Sequence, residues 1–212
     1  MIKLYDFLPC PFGQKVRIAL AEKGLTYELV EVDLAKGEHR QQDFFRLNPL
    51  GRVPVLIDED ATIYDSTIIN EYLEDEYPDP PILPDVSSSS MRARARLFED
   101  FADTRFTFQV GQLMAELGKP ETERNADRLQ RVNRDIERML DYLNQELAGR
   151  QFVAGDFSVA DIGFIPRLLV LPNLGIEAGT NRPNVDAWIK RLLERPSLRN
   201  LQGVTTDFLA GV

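Results

Sequence analysis

Between Tyr77 and Ser90 the chain places Pro78, Pro80, Pro81 and Pro84 and then four serines in a row, a run that neither a helix interior nor a paired strand tolerates. Proline lacks the N–H that both structures need, so this run separates two folding units. At 212 residues and 43% apolar side chains, each side has enough material to bury a core of its own. The expected division is residues 1–77, a linker over 78–89, and residues 90–212.

Ahead of the break, Ile2-Lys3-Leu4-Tyr5 reads as a short strand. Residues 14–23 read as a helix, with Val16, Ile18, Ala19 and Leu20 at helical spacing before Gly24 stops it. Residues 27–34 then suit a second strand, 42–47 a short helix, 53–57 and 62–64 two more strands. Ile68, Ile69, Tyr72 and Leu73 make residues 66–76 a closing helix. The order is βαβ, α, ββα, an α/β unit. Behind the break every periodic segment is helical: 91–117, 122–148, 159–171, 185–194 and a short piece after Pro196. Ser158-Val159-Ala160-Asp161 is a capping box opening the third of these.

No apolar run approaches the roughly 18 to 20 residues that cross a bilayer, and Lys3 and Asp6 stand at the start beside a strand instead of a signal peptide. A cytoplasmic protein without a membrane span is expected. The net charge of -9, with 25 Lys and Arg interleaved among 34 Asp and Glu, argues against nucleic acid as a partner. No metal site is expected.

The single cysteine, Cys10, excludes an internal disulfide and fits a reducing compartment. It stands between Pro9 and Pro11 where the first strand gives way to the first helix, and proline favours the first helical position. A thiol there meets the orphan N–H groups and the positive end of the helix dipole, while Lys15 and Arg17 add charge within two turns. The residues therefore point to a thiolate-forming centre; the alternative is a buried structural cysteine.

Cys10-Pro11-Phe12-Gly13 resembles the Cys-Pro-x-Cys turn of thioredoxins and glutaredoxins, with Gly13 in place of the second cysteine. Without a resolving cysteine, a mixed disulfide at Cys10 needs an external thiol, for which glutathione is the abundant candidate. The stretch from Cys10 through Lys15-Val16-Arg17-Ile18-Ala19-Leu20, then Asn48-Pro49-Leu50-Gly51-Arg52-Val53-Pro54-Val55-Leu56, then Asp65-Ser66, is similar to cytosolic glutathione transferases. The Cys-Pro-Phe sequence is closest to the cysteine branch, the omega and dehydroascorbate-reductase-like members, whereas serine-type members carry Ser in place of Cys10.

That resemblance implies a thioredoxin-like front domain, an all-helical rear domain, a homodimer, and glutathione as co-substrate beside a small electrophile or disulfide. It implies Cys10 as the catalytic residue and Phe12, His39, Arg52, Val53, Pro54, Asp65 and Ser66 as glutathione-binding positions. A cis Val53–Pro54 bond would let Val53 pair with the cysteinyl part of glutathione like an added strand. X–Pro bonds are cis in only about 5–6% of cases, so the residues alone argue for trans and the resemblance for cis. Asp65 and Ser66 suit a helix N-cap as well as a ligand. Tyr5 is a second possible thiol-activating hydroxyl or a core residue. Phe101, Arg105, Phe108, Met114 and Phe208 either line a second-substrate pocket or pack in the core. Three functions remain open: thiol transfer through Cys10, conjugation with Cys10 as donor or bystander, and a non-catalytic interaction protein.

Overall fold

Leu4 has no exposed surface and lies at the middle of β1 (Ile2–Asp6), the strand on which the front of the chain is built. In the computed structural model, which describes residues 1–199, β1 lies between β2 (Tyr27–Glu31) and β3 (Val55–Asp58), and β4 (Ala61–Tyr64) completes the order β2-β1-β3-β4. The β1–β2 pair is parallel, from Ile2 opposite Tyr27 to Asp6 opposite Glu31. A parallel pair needs a crossover, which α1 (Pro11–Glu22) supplies. The other two pairs are antiparallel, with Leu4 opposite Leu56. β2 ends at Glu31, short of the expected residue 34, because the Asp33 side chain accepts the Lys36 N–H at 2.9 Å and turns the chain. β3 begins at Val55 instead of 53, since Pro54 has no N–H for the ladder.

Alternation along the strands sends neighbouring side chains to opposite faces. Tyr5 and Val55, paired across β1 and β3, belong to the cluster in which Phe44 of α2 (Gln42–Leu47) packs with Val32. α1 also packs beside α3 (Ser66–Glu76), and two buried lysines bridge them. Lys15 Nζ donates to Thr67 Oγ1 at 3.3 Å. Lys23 Nζ donates to Glu74 Oε2 at 2.9 Å, the Tyr77 carbonyl at 2.7 Å and the Pro80 carbonyl at 3.0 Å, while Glu74 Oε2 accepts the Ile82 N–H at 2.8 Å. This network carries the front unit to Ile82, past residue 77, and the proline-rich run is packed: Ile82 and Leu83 are buried.

The second unit, Leu83–Arg199, contains α4 (Ser89–Phe101), a π-helical turn (Ala102–Phe106), α5 (Thr107–Leu117), α6 (Ala126–Glu146), α7 (Val159–Leu168), α8 (Pro183–Leu193) and α9 (Pro196–Arg199). Only isolated bridges at Phe152–Gly155 and Ala154–Asp156 interrupt the helices among its described residues. The fold is thus an α/β thioredoxin-like unit followed by an all-α unit, as expected. The expected helix 91–117 is one run broken by the π turn, and α6 starts at Ala126 because Asn125 Oδ1 accepts the Arg128 N–H at 2.9 Å. Phe101, half-buried, packs its ring among Phe98, Tyr142 and Phe164. Phe108 is 59% exposed, Arg105 is exposed, and Met114 sulfur accepts from Arg167 Nη1 at 3.0 Å. Phe208 lies outside the described residues.

The rear core is organised by one carboxylate. Asp161, in the first turn of α7 and fully buried, accepts the Val153 N–H at 3.0 Å, the Ser158 N–H at 3.0 Å and the indole N–H of Trp188, the only tryptophan, at 2.8 Å. Its capping-box partner is Ser158, and the same group also ties α8 to α7.

Asp161→Ala leaves these N–H groups buried without an acceptor and is expected to cost about 3 kcal/mol or more in urea unfolding followed by Trp188 emission. Burial also pushes the Asp161 carboxyl from 3.8 up to about 6, against the pull of those donors. The folded state then holds a proton that the unfolded chain releases between these values, so stability falls as pH rises through that window. The expected loss from this group is about 3 kcal/mol between pH 4 and 7, and Asp161→Asn removes that pH dependence. Lys23→Met strands the buried Glu74 carboxylate, and a loss of about 3 to 5 kcal/mol is expected in the same titration.

Candidate active site

The end of β1 runs into a turn, Phe7-Leu8-Pro9-Cys10, that α1 continues. Cys10 N–H donates to the Phe7 carbonyl at 2.7 Å and the Cys10 carbonyl accepts the Gln14 N–H at 3.0 Å, so Cys10 is the N-cap of α1 with Pro11 in its first turn. The cysteine is half-buried. The helix-start placement expected from Pro9 and Pro11 is what the structure has.

The turn is held from behind by a buried ion pair. Phe7 N–H donates to Asp6 Oδ1 at 2.8 Å, Arg17 Nε lies 3.0 Å from Asp6 Oδ2, and Arg17 Nη2 donates to the Leu8 carbonyl at 2.5 Å. Burial pushes the Asp6 carboxyl up to about 6, while Arg17 and the Phe7 N–H pull it down. The structure gives Lys15 and Arg17, the cations expected within two turns of the thiol, further partners. Both are buried and engaged inside the unit, Arg17 with Asp6 and Lys15 with Thr67.

Cys10 opens into a cleft of about 540 Å³, which it lines with Leu34, His39, Arg40, Phe45, Leu50, Gly51, Arg52 and Val53. Its charged lining is cationic, Arg40 and Arg52 with His39 beside them, and no carboxylate is in the set. Of the expected binding positions, His39, Arg52 and Val53 meet Cys10 there; Phe12, Pro54, Asp65 and Ser66 do not line it. Phe12 is half-buried on the first turn of α1, and Pro54 is buried after a Val53–Pro54 bond that is cis. Asp65 Oδ1 accepts the Thr67 and Ile68 N–H groups at 3.0 and 3.4 Å, the capping role, and Ser66 is buried at the first position of α3. Asp65 holds a φ of 74°, a region that costs an L-residue roughly 1–3 kcal/mol. Tyr5 packs with Val32, Phe44 and Val55 and borders a different groove, so core packing is its role.

Sequence reasoning missed Arg40, although it follows His39 directly, and missed how the opposite wall is built. The buried Asn48 side chain donates from Nδ2 to the Arg52 carbonyl at 2.7 Å and accepts the Leu50 N–H on Oδ1 at 2.9 Å, an Asx turn that Asn-Pro signals. This turn presents Leu50 and Arg52 to the cleft. Gly51 at its tip has a φ of 59°, and a Cβ there would lie 2.9 Å from the Phe45 ring and 3.0 Å from the His39 carbonyl. Glycine is what lets the two loops close on each other.

A four-stranded mixed sheet with a thiol-bearing turn between β1 and α1 defines the thioredoxin-like class of proteins. Residues 1–75 match the description "Glutathione S-transferase, N-terminal domain" and residues 101–196 match "Glutathione S-transferase, C-terminal domain". Glutathione S-transferase 3 of Zea mays is 32% identical, over 93% of this chain and 91% of its own. Glutathione S-transferase Z2 of Arabidopsis thaliana is 33% identical, over 87% and 79%. Among solved structures, the glutathione transferase URE2P6 of Phanerochaete chrysosporium, in complex with oxidized glutathione, superposes with a TM-score of 0.82 at 30% identity and covers 92% of each chain. The chain belongs to the glutathione S-transferase family.

Asn48→Ala removes both side-chain bonds of the turn, and an expected loss of about 1–2 kcal/mol, with faster amide exchange at Leu50, is read by denaturation and hydrogen exchange. Gly51→Ala combines an unfavourable φ with a clash and is expected to lower stability by more than Asn48→Ala in the same assays.

Proposed function

We propose that this protein is a glutathione-dependent transferase of the cysteine type, and that its main reaction is thiol transfer through Cys10. One observation carries the reading: the only thiol of the chain faces a cleft whose charged lining is cationic, in a protein whose net charge is -9. Glutathione is a peptide thiol with two carboxylates, and an acidic chain has little reason to gather Arg40, Arg52 and His39 around its cysteine except to hold an anion. Membership of the family and the glutathione complex of a similar structure support the same ligand.

In this reading the front unit is the glutathione-binding domain and the helical unit, from Leu83 on, the second. Glutathione extends along Val53, its glycine carboxylate towards Arg40, Arg52 or His39. Its γ-glutamyl carboxylate meets Ser66 and the first N–H groups of α3, where the helix dipole favours an anion. Asp65, whose Oδ1 caps the helix, offers its other oxygen to the ammonium. Phe12 and Pro54 shape the backbone on either side of the sulfur.

Cys10 as thiolate attacks the glutathione sulfur of a mixed disulfide; that S–S bond breaks, the released thiolate takes a proton, and a Cys10–glutathione disulfide forms. A second glutathione thiolate attacks the glutathione sulfur, giving oxidized glutathione and returning Cys10 as thiolate. With an oxidised acceptor such as dehydroascorbate, the Cys10 thiolate adds to a carbonyl carbon. A glutathione thiolate then attacks the Cys10 sulfur, the C–S bond breaks with its electron pair and two protons going to the acceptor, and a second glutathione resolves the Cys10–glutathione disulfide as before. The protein works as a homodimer in the cytoplasm, without a metal. The second reading, conjugation of glutathione to an electrophile with Cys10 only donating a hydrogen bond, is favoured by the serine-type position that Cys10 occupies at the helix start.

Cys10→Ser separates the two. Serine cannot form the mixed disulfide but can donate to a bound thiolate, so the variant is expected to lose thiol transfer while keeping conjugation. Thiol transfer that survives in the variant sinks the proposed mechanism. Arg40→Ala is expected to raise the KM for glutathione roughly tenfold with little change in kcat, as befits a residue that binds without reacting. Failure of the native protein to be retained on immobilised glutathione would favour a non-catalytic role.

A further inference from the structure

Gly13 stands where the Cys-Pro-x-Cys pattern has its second cysteine, and the space beyond its Cα is occupied. A Cβ built on Gly13 would lie 1.8 Å from Asp6 Oδ1 and 2.2 Å from Asp6 Cγ and Oδ2. The obstacle is the carboxylate end of a short side chain, and its partners leave it no room to swing aside. Its carboxylate is fully buried, receives the Phe7 N–H at 2.8 Å and lies 3.0 Å from Arg17 Nε. Arg17 in turn holds the Leu8 carbonyl, so moving Asp6 would undo the turn that carries Cys10.

We propose that Asp6 is the residue that commits this site to a single thiol: fixed by Arg17, it positions the Phe7–Cys10 turn and fills the volume that any side chain at position 13 would need. The proposal rests on thiol transfer through Cys10. Reaction there must then stop at the Cys10–glutathione disulfide, because no sulfur can be placed one helical turn on to expel the glutathione thiolate. The resolving electrons come from a second glutathione, whose sulfur enters from the cleft that Cys10 lines. Asp6 is a positioning residue in this scheme and touches no substrate.

The test restores the second cysteine with and without the obstacle. Gly13→Ala is expected to lower the melting temperature by roughly 5 to 10 °C, and the drop is expected to vanish when Asp6→Ala and Arg17→Met are made together, which removes the volume without orphaning a charge. In that background Gly13→Cys, treated with diamide, is expected to close a Cys10 to residue-13 disulfide. The two thiol hydrogens and two electrons pass to the diazene, and mass spectrometry reads a loss of two hydrogens. Asp6→Asn with Gly13→Cys keeps the obstructing volume and is expected not to close. A Gly13→Ala protein that melts like the native one overturns the proposal, and decides it alone if the other background does not fold. So does closure in the Asp6→Asn variant as fast as in the Asp6→Ala, Arg17→Met variant. Diamide needs no bound glutathione, so this outcome is independent of the mechanism above. That mechanism is tested separately by whether oxidized glutathione leaves one removable glutathionyl group on native Cys10.

Discussion

Two opposite charges with almost no access to water, Asp6 and Arg17, set the geometry on which the rest of the front unit depends. Removing such ions from water costs several kcal/mol each, and their attraction offsets that only when further hydrogen bonds complete the arrangement. Here the completing groups are backbone: the Phe7 N–H on one partner and the Leu8 carbonyl on the other. The value of the pair is therefore positional. It determines where β1 stops, how the chain turns, and hence where the N-terminus of α1 and its cysteine sit relative to the sheet.

The same device recurs at each place where segments distant in sequence must meet. Lys23 satisfies its ammonium on Glu74 and the carbonyls of Tyr77 and Pro80, which fastens the proline-rich run to the front unit. Asp161 collects donors from Val153, Ser158 and Trp188, and Arg182 at the start of α8 bonds Glu137 and Asp141 of α6. Apolar contacts are nondirectional and would tolerate helices sliding past one another. A buried polar group left without its partners would cost more in a low dielectric than in water, so each of these groups permits one arrangement.

The cleft follows from two loops that such constraints hold in place. One carries His39 and Arg40, the other is the Asx turn that presents Leu50 and Arg52, and they touch where Gly51 meets the Phe45 ring and the His39 carbonyl. Cations that are unremarkable along an acidic chain become a local positive lining around one sulfur. A charged ligand reads that lining and not the net charge.

Much of this was legible in the sequence because it is local. The βαβ and ββα order, the helical rear half, the break at the prolines, the placement of Cys10 at a helix start and the cap at Asp65 all rest on periodicity or on the chemistry of adjacent residues. Three resemblance motifs likewise led to the family and to the cis bond before Pro54. What escaped was decided across long separations. The burial of Arg17 against Asp6, the place of Arg40 in the cleft lining, the π turn within the long helix and the packing of the supposed linker leave no periodic trace. Gly13 shows the division most plainly. The sequence by itself determined that a second cysteine is missing there, and only the tertiary structure decided that none fits, because the end of β1 brings a buried carboxylate into the volume where its side chain would begin.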